Sequence, residues 1–205
     1  MGFNKAILPS VYFGPIQWYS KLIQYPEIVI DQHENYCKQT WRNRMRIVGP
    51  NGIQDLVIPV HVKGNHTPMR EVRINYNEIW QRQHWQSIRS AYGNSPFFDY
   101  YAAYFAPFYE TKKWNTLMEL NSEVLDLTLR LLKLNSKIDL TSEYLETIAN
   151  GIDYRKLISP KIKIEFNSKP YLQVFADRHG FVANLSIIDL LCCNGPISGT
   201  LLSDK

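Results

Sequence analysis

The sequence is short of the features that announce the commoner chemistries. It has no P-loop, no G-x-G-x-x-G fingerprint and no H-E-x-x-H or similar metal spacing. P-loop nucleotide hydrolysis, hydride transfer on a standard dinucleotide fold and zinc-protease chemistry therefore lose their usual support. The G-x-S-x-G elbow that would expose a serine nucleophile is also missing. There are only 3 cysteines (Cys37, Cys192 and Cys193), an odd count without C-x-x-C spacing. Neither a structural zinc site nor a disulfide framework is expected from them. No apolar run reaches the roughly 18 residues of a membrane-spanning helix. The start, Met1-Gly2-Phe3-Asn4-Lys5, runs straight into a strand-like segment and does not read as a secretory signal. A cytoplasmic protein with no membrane span is expected.

What is present is ordinary globular usage. The chain has 205 residues, 45% hydrophobic and 20% charged, enough for one domain with a real core. A single domain over 1–205 is expected, with 196–205 as a loose tail. The net charge of +4 is spread without any block of like sign. That is too little for a dedicated nucleic-acid binder, so no nucleic-acid partner is expected. It suits a small anionic ligand, or no ligand at all. The aromatic share is 13%, tyrosine leading with 13 residues. Such side chains, apolar with a polar tip, serve a ligand cleft or a large core equally well.

The patterning predicts an α/β fold: a mixed sheet with an N-terminal β-α-β unit, a β-hairpin and a central group of helices. Lys5 to Pro9 reads as a strand. Pro15 opens a helix whose face is Ile16, Tyr19, Leu22 and Ile23, broken by Pro26, and Glu27 to Asp31 is the second strand. Arg42 to Val48 and Gln54 to Val60, joined through Gly49-Pro50-Asn51-Gly52, make the hairpin. Glu71 to Asn75 is a further short strand. Helices are expected over Glu78 to Tyr92 with Asn77 as cap, Phe97 to Tyr109, Trp114 to Leu134, Ser142 to Asn150 and Ser186 to Cys193. Lys161 to Phe166 alternates as a strand, and Leu172 to Phe175 reads as an extended piece.

Four groups of residues can carry chemistry. Loops after the carboxyl ends of strands make the binding crevice in α/β folds. Two such loops bring Tyr12, Gln17, Asp31, His33 and Glu34 within reach of one another. Asp31 can act as a base or orient a donor, and His33 can carry a proton near neutral pH; both can equally be solvated strand-end residues. Arg42, Arg44 and Arg46 alternate on one strand face, which fits a bidentate carboxylate or phosphate site or a charged edge that resists aggregation. His84 and Asn121 are polar groups on apolar helix faces and need partners. Ser186 and Asp189 have the spacing of a capping box, or belong to a site.

Several stretches together resemble the WbqC-like protein family. They are Leu8-Pro9-Ser10-Val11-Tyr12-Phe13-Gly14, Asp31, Lys38 to Arg44 with its Trp41-Arg42-Asn43-Arg44 piece, Trp80, Tyr92, Pro96-Phe97, Leu120-Asn121, Pro170 to Gln173, and Leu185 to Leu191 ending Asn194-Gly195. The resemblance implies surface-polysaccharide (O-antigen-type) biosynthesis, with transfer of a small acyl or aminoacyl group such as glycine to a sugar precursor. The chain departs from many members in carrying Leu8 where they have a polar residue. The resemblance raises Asp31, Asn43, Arg44, Tyr171 and Gln173 as site residues, and Ser186 and Asp189 less. On this reading Asp31 or His33 is catalytic. Arg44 holds a phosphorylated or nucleotide-linked ligand, Tyr12, Trp41 and Tyr171 stack on it, and Asn43 and Gln173 orient polar groups. The alternative is a non-catalytic binding protein for a sugar nucleotide or partner enzyme. No cofactor is specified, no metal is required and the oligomeric state stays open. All of this expects Asp31, the Trp41 to Arg44 stretch and Tyr171 with Gln173 in one shared pocket.

Overall fold

The central strands are apolar at consecutive rather than alternate positions, which is the pattern of a parallel sheet covered on both faces. A computed structural model describes residues 3–64, 66–148, 150–162, 166 and 168–203. In it β1 (Lys5–Leu8), α1 (Ile16–Gln24) and β2 (Glu27–Ile30) form the expected β-α-β unit. The two strands pair in parallel from Lys5↔Glu27 to Leu8↔Ile30. Ala6, Ile7 and Leu8 are wholly buried, as are Ile28 and Ile30 almost completely. Pro15 caps α1 from an extended backbone, and Tyr25-Pro26 ends it. The buried face of α1 includes Trp18, whose indole N–H donates to the Pro9 carbonyl at 2.9 Å. Ile23, expected inside, is exposed.

β3 (Arg44–Gly49) and β4 (Gly52–Val57) form the hairpin, closed by Gly49↔Gly52 around Pro50-Asn51. Arg42 lies before the strand, so only Arg44 and Arg46 share its face. β5 (Val60–His61) pairs with β6 (Arg73–Ile74); the strand expected over Glu71 to Asn75 shrinks to two residues because Met69–Glu71 turns as a 3-10 helix. α2 (Trp80–Tyr92) starts two residues late: Asn77 donates its N–H to the Asn75 side chain, and Ile79 stands at the cap. Its face of Trp80, His84, Ile88, Ala91 and Tyr92 is buried as expected. The helix expected over Phe97 to Tyr109 is two, α3 (Phe98–Phe105) and α4 (Pro107–Glu110), since Pro107 has no N–H to continue the ladder.

α5 (Leu117–Leu132) begins at a capping box. Thr116 Oγ1 accepts from Glu119 N at 3.2 Å, and Glu119 returns to Thr116 N at 3.1 Å. Lys133 in the left-handed region ends it, short of Leu134. Next come β7 (Ile138–Leu140) and β8 (Gly151–Asp153), neither expected. The helix expected over Ser142 to Asn150 does not form in the described residues. Its ends are held elsewhere: Gln32 Nε2 donates to the Thr141 carbonyl, and Gly151 pairs with Lys5. Of the strand expected over Lys161 to Phe166, residues 161–162 are a turn and 163–165 lie outside the described residues. The chain ends with α6 (Ala176–His179) and α7 (Ile187–Asn194). The tail is not loose up to residue 203. Two 3-10 turns, Gly195–Ile197 and Thr200–Leu202, bury Ser198 and Leu202 completely.

The main sheet is parallel throughout, in the order β7-β2-β1-β8, and the antiparallel pairs stand apart as two-stranded ladders. Most of the aromatic wealth is core: Tyr12, Phe13, Trp18, Tyr19, Trp80 and Tyr92 are all fully buried.

Gly195 and Gly180 both have positive φ, +59° and +68°, but a Cβ on Gly195 would meet the Phe97 ring at 2.6 Å while one on Gly180 would meet nothing. Gly180→Ala is expected to cost about 1–3 kcal/mol for its backbone alone, since φ +68° with ψ −175° is a region essentially restricted to glycine. Gly195→Ala is expected to cost roughly 1–3 kcal/mol more, for overpacking. Urea denaturation of the two variants separates the terms; equal midpoints would contradict the clash.

Candidate site at the carboxyl edge of the parallel sheet

Parallel strands end together, so the residues just past β1, β2, β7 and β8 meet at one edge. Asp31, after β2, is wholly buried there. Its carboxylate accepts from His33 N (2.9 Å), Thr141 Oγ1 (2.9 Å) and the guanidinium of Arg155. Arg155 also grips Asp153, at the end of β8, by a two-point contact of 3.0 and 2.7 Å. The Tyr144 ring lies 5.3 Å from the same guanidinium. Burial alone would raise the Asp153 carboxyl, but Arg155 outweighs it and holds the group below its usual range. Beside this network Glu34 and Arg42 form a second buried pair through two hydrogen bonds. Arg42 Nη2 reaches on to the Arg155 carbonyl at 3.2 Å. Burial raises the Glu34 carboxyl and Asp31 adds to that, with Arg42 opposing.

A cleft of about 360 Å³ opens between this edge and α5. Its apolar wall includes Trp18, Tyr19, Ile30, Met118, Leu125 and Leu140; Ser10, Asn121, Ser122, Asp126 and Ser136 supply the polar groups. No lysine, arginine or histidine among the described residues lines it. The orientation of the Asn121 amide is fixed by its partners. Its Nδ2 donates to Ser10 Oγ at 3.0 Å and to the Arg42 carbonyl at 2.9 Å, and a carbonyl can only accept. Asn121 Oδ1 is left buried, with no partner among the described residues. Thr128, which also projects from this helix, binds Tyr19 Oη at 3.1 Å.

The other expected site residues are placed as follows. Tyr12 is core: its hydroxyl lies 2.9 Å from that of Tyr109 and 3.1 Å from His84 Nδ1. Burial lowers the His84 pKa from 6.5 to about 4, and its Nε2 sits 3.2 Å from the Val57 carbonyl. Gln17 exchanges hydrogen bonds with Asn184. Trp41 is buried, with the Arg46 guanidinium 5.3 Å from its ring. Asn43 Nδ2 holds the Ile58 carbonyl at 2.8 Å, and Arg44 and Arg46 both face Asp55 on the hairpin. Tyr171 donates to Asp189 Oδ2 at 2.7 Å, and Gln173 Nε2 approaches the same oxygen at 3.4 Å. Ser186 caps α7 by accepting from Ile188 N, and its own N–H goes to the Arg46 carbonyl. Asp189 therefore does not close a capping box. Burial raises its carboxyl to about 6, against the opposing hydrogen bonds of Tyr171 and Gln173.

The structure thus brings Asp31, His33 and, through Arg42, Asn121 to the sheet edge. It sets Arg44 on the hairpin, and Tyr171, Gln173 and Asp189 against α7. Among the described residues these three groups have separate partners and do not share one pocket. Arg155, Asp153 and Thr141 are partners that the sequence analysis leaves out. The signal for Asp153 was available: Ile152-Asp153 repeats the pattern of Ile30-Asp31, an apolar residue and then an aspartate at a strand's end. No group of three or more His, Cys, Asp or Glu able to hold a metal occurs among the described residues. No described helix is long and apolar enough to cross a membrane.

Fold and site define an α/β protein with its cleft at the carboxyl edge of a four-stranded parallel sheet. The sequence profile of the WbqC-like protein family matches residues 10–159, and the chain belongs to that family. The match takes in Asp31, His33 and Asn121 and stops short of Tyr171, Gln173, Ser186 and Asp189. The chain is 29% identical over 180 residues to a Mycobacterium tuberculosis (strain ATCC 25618 / H37Rv) protein, "Uncharacterized protein Rv1507c", covering 86% of this chain and 76% of that one. No solved structure matches it.

Removing one partner of a buried pair leaves the other charge uncompensated. Arg155→Met is expected to lose about 3 kcal/mol or more in urea denaturation. A loss under about 1 kcal/mol would show that Asp31 does not depend on Arg155. The two shifted groups also give opposite pH slopes. The unfolded His84 imidazole binds a proton below about 6.5 and the folded one only near 4, so its contribution to stability falls as pH drops through that window. The folded Asp189 carboxyl binds its proton near 6 and the unfolded one near 3.8, so its contribution rises as pH drops between them. Unfolding free energy measured from pH 6.5 to 4 should rise less steeply with pH in His84→Gln than in the unaltered protein. It should rise more steeply in Asp189→Asn. Unchanged slopes in both variants would refute the assignment.

Proposed function

We propose that this protein is a transferase of surface-polysaccharide biosynthesis that moves a small acyl or aminoacyl group to a sugar precursor, acting in the cytoplasm. The observation that carries the reading is the cleft beside the sheet edge. It offers amide and hydroxyl groups at Asn121, Ser10 and Ser122 next to an extended apolar wall, within the volume range of small-molecule sites. Family membership supports the same assignment at the level of the pathway class.

In this reading Asp31 does not act as the base. It is committed to Arg155 and Thr141, and it positions the loop by accepting from His33 N. The acceptor's hydroxyl or amine attacks the acyl carbonyl of a thioester donor, the carbon–sulfur bond breaks, and His33, half-buried on that loop outside the cleft lining, passes the acceptor's proton to the departing thiolate. Ser10 and Asn121 orient the reacting groups. Arg44, with Arg46, holds the anionic part of a phosphorylated or nucleotide-linked ligand on the hairpin, in exchange with Asp55. The other reading is a non-catalytic binder of a sugar nucleotide or partner enzyme. It is favoured by one observation, that the conspicuous carboxylate of the site is fully buried and paired.

Mass spectrometry on mixtures of nucleotide sugars with acyl and aminoacyl thioesters decides between them. The transferase should add the acyl mass to the sugar, and His33→Ala should slow this roughly 10²–10⁴-fold, the range of general-base contributions. Thermal stabilisation by the sugar nucleotide should survive in His33→Ala. Stabilisation by a sugar nucleotide with no mass transfer by the unaltered protein would leave the binder.

A further inference from the structure

The chemistry of the cleft wall restricts what can enter it more narrowly than the transferase reading does. Among the described residues that line it, nine are apolar or aromatic, and the only ionisable side chain other than the Tyr19 phenol is Asp126, exposed at its mouth. A phosphate or sulfate there would meet a carboxylate and no cation, at low local dielectric. The anionic part of an activated ligand is therefore kept out. The cleft is also too large for a very small group. Its 360 Å³ equals about twelve waters at ~30 Å³ each. A glycyl group would leave most of that volume to water and most of the apolar wall still hydrated. Polar groups collect at one place, where Ser10 Oγ and the Asn121 amide meet, and there the buried Asn121 Oδ1 lacks a donor. A ligand N–H or O–H would supply the partner that this buried acceptor lacks.

We propose that the cleft seats an uncharged acyl group with a medium-length aliphatic chain. The chain lies along Ile30, Met118, Leu125 and Leu140, and the polar end meets Ser10 and Asn121. The inference rests on the transferase reading for its assignment of this group as the one transferred; the seating itself stands on the cleft alone. The donor's charged carrier stays outside, beyond Asp126.

The test is an NMR titration of the full chain, following the methyl signals of Ile30, Met118 and Leu125 with three probes: hexanamide, glycinamide and hexyl phosphate. Hexanamide should shift these methyls saturably, at least tenfold more tightly than either of the others. Two variants should weaken it tenfold or more: Leu125→Trp, which fills the cleft, and Leu140→Trp, which narrows it from an exposed edge-strand position where tryptophan is tolerated. Glycinamide binding as tightly as hexanamide, tighter binding of hexyl phosphate, or no shift with any probe would overturn the proposal. The first of these would leave the transferase reading standing. Hexanamide binding by a protein that transfers no acyl mass would keep the seating and remove the transferase reading.

Discussion

The guanidinium of Arg155 is the contact on which the site's architecture turns. β1 lies between β2 and β8, and Arg155 spans its end by holding Asp31 from one neighbour and Asp153 from the other. Thr141, just past β7, adds its hydroxyl to Asp31. All strands but β1 are thus joined through one cation and two carboxylates at the edge where α/β proteins place their ligands. The desolvation of such a cluster is costly, and it is tolerable because each charge has several partners. Its gain is positional. Short parallel strands with exposed edges would otherwise leave three loops free to wander over the cleft.

This arrangement separates two roles that a sequence reading merges. Asp31 looks like a base because it follows a strand and precedes a histidine. In place it is fully occupied, holding the backbone N–H of His33 and the guanidinium of Arg155. The residues lining the cleft, Ser10 and Asn121 above all, are attached to the charged network through the Arg42 carbonyl rather than belonging to it. A charged scaffold sits behind a cleft whose described lining holds one carboxylate, Asp126, and no cation.

The legible parts of the fold are those with a period or a turn signal long enough to read. The β-α-β unit, the Gly49 to Gly52 hairpin and the α5 stripe all come through. The unread parts are set by contacts distant in sequence. β7 and β8 are three residues each, too short to show a pattern, and exist because β2 and β1 offer free edges. Arg42 alternates with Arg44 and Arg46, yet it is 2% exposed, drawn out of the strand's face by Glu34. Asn121 stood out because a polar residue at the centre of an apolar stripe needs a reason, and its reason is the join between Ser10 and Arg42. Arg155 gave no such signal, since its partners come from 2 and 124 residues away.

The Ser186 segment shows how a residue that looks chemical can be explained by folding. Its hydroxyl donates to the Phe13 carbonyl at 2.7 Å, and the next amide, Ile187 N, donates to the Gly14 carbonyl at 3.0 Å. Ile16 N returns to the Leu185 carbonyl. Phe13 has φ of +41°, a left-handed backbone that a bulky residue adopts only when its surroundings impose it. Here the start of α7 imposes it from one side, and the rings of Phe105 and Phe108, each 5.7 Å away, from the other. The loop so held is the one that leaves β1 and carries Ser10 at its beginning. Ser186 therefore acts on the cleft from a distance, as the strap that fixes the far end of the loop on which a cleft hydroxyl stands.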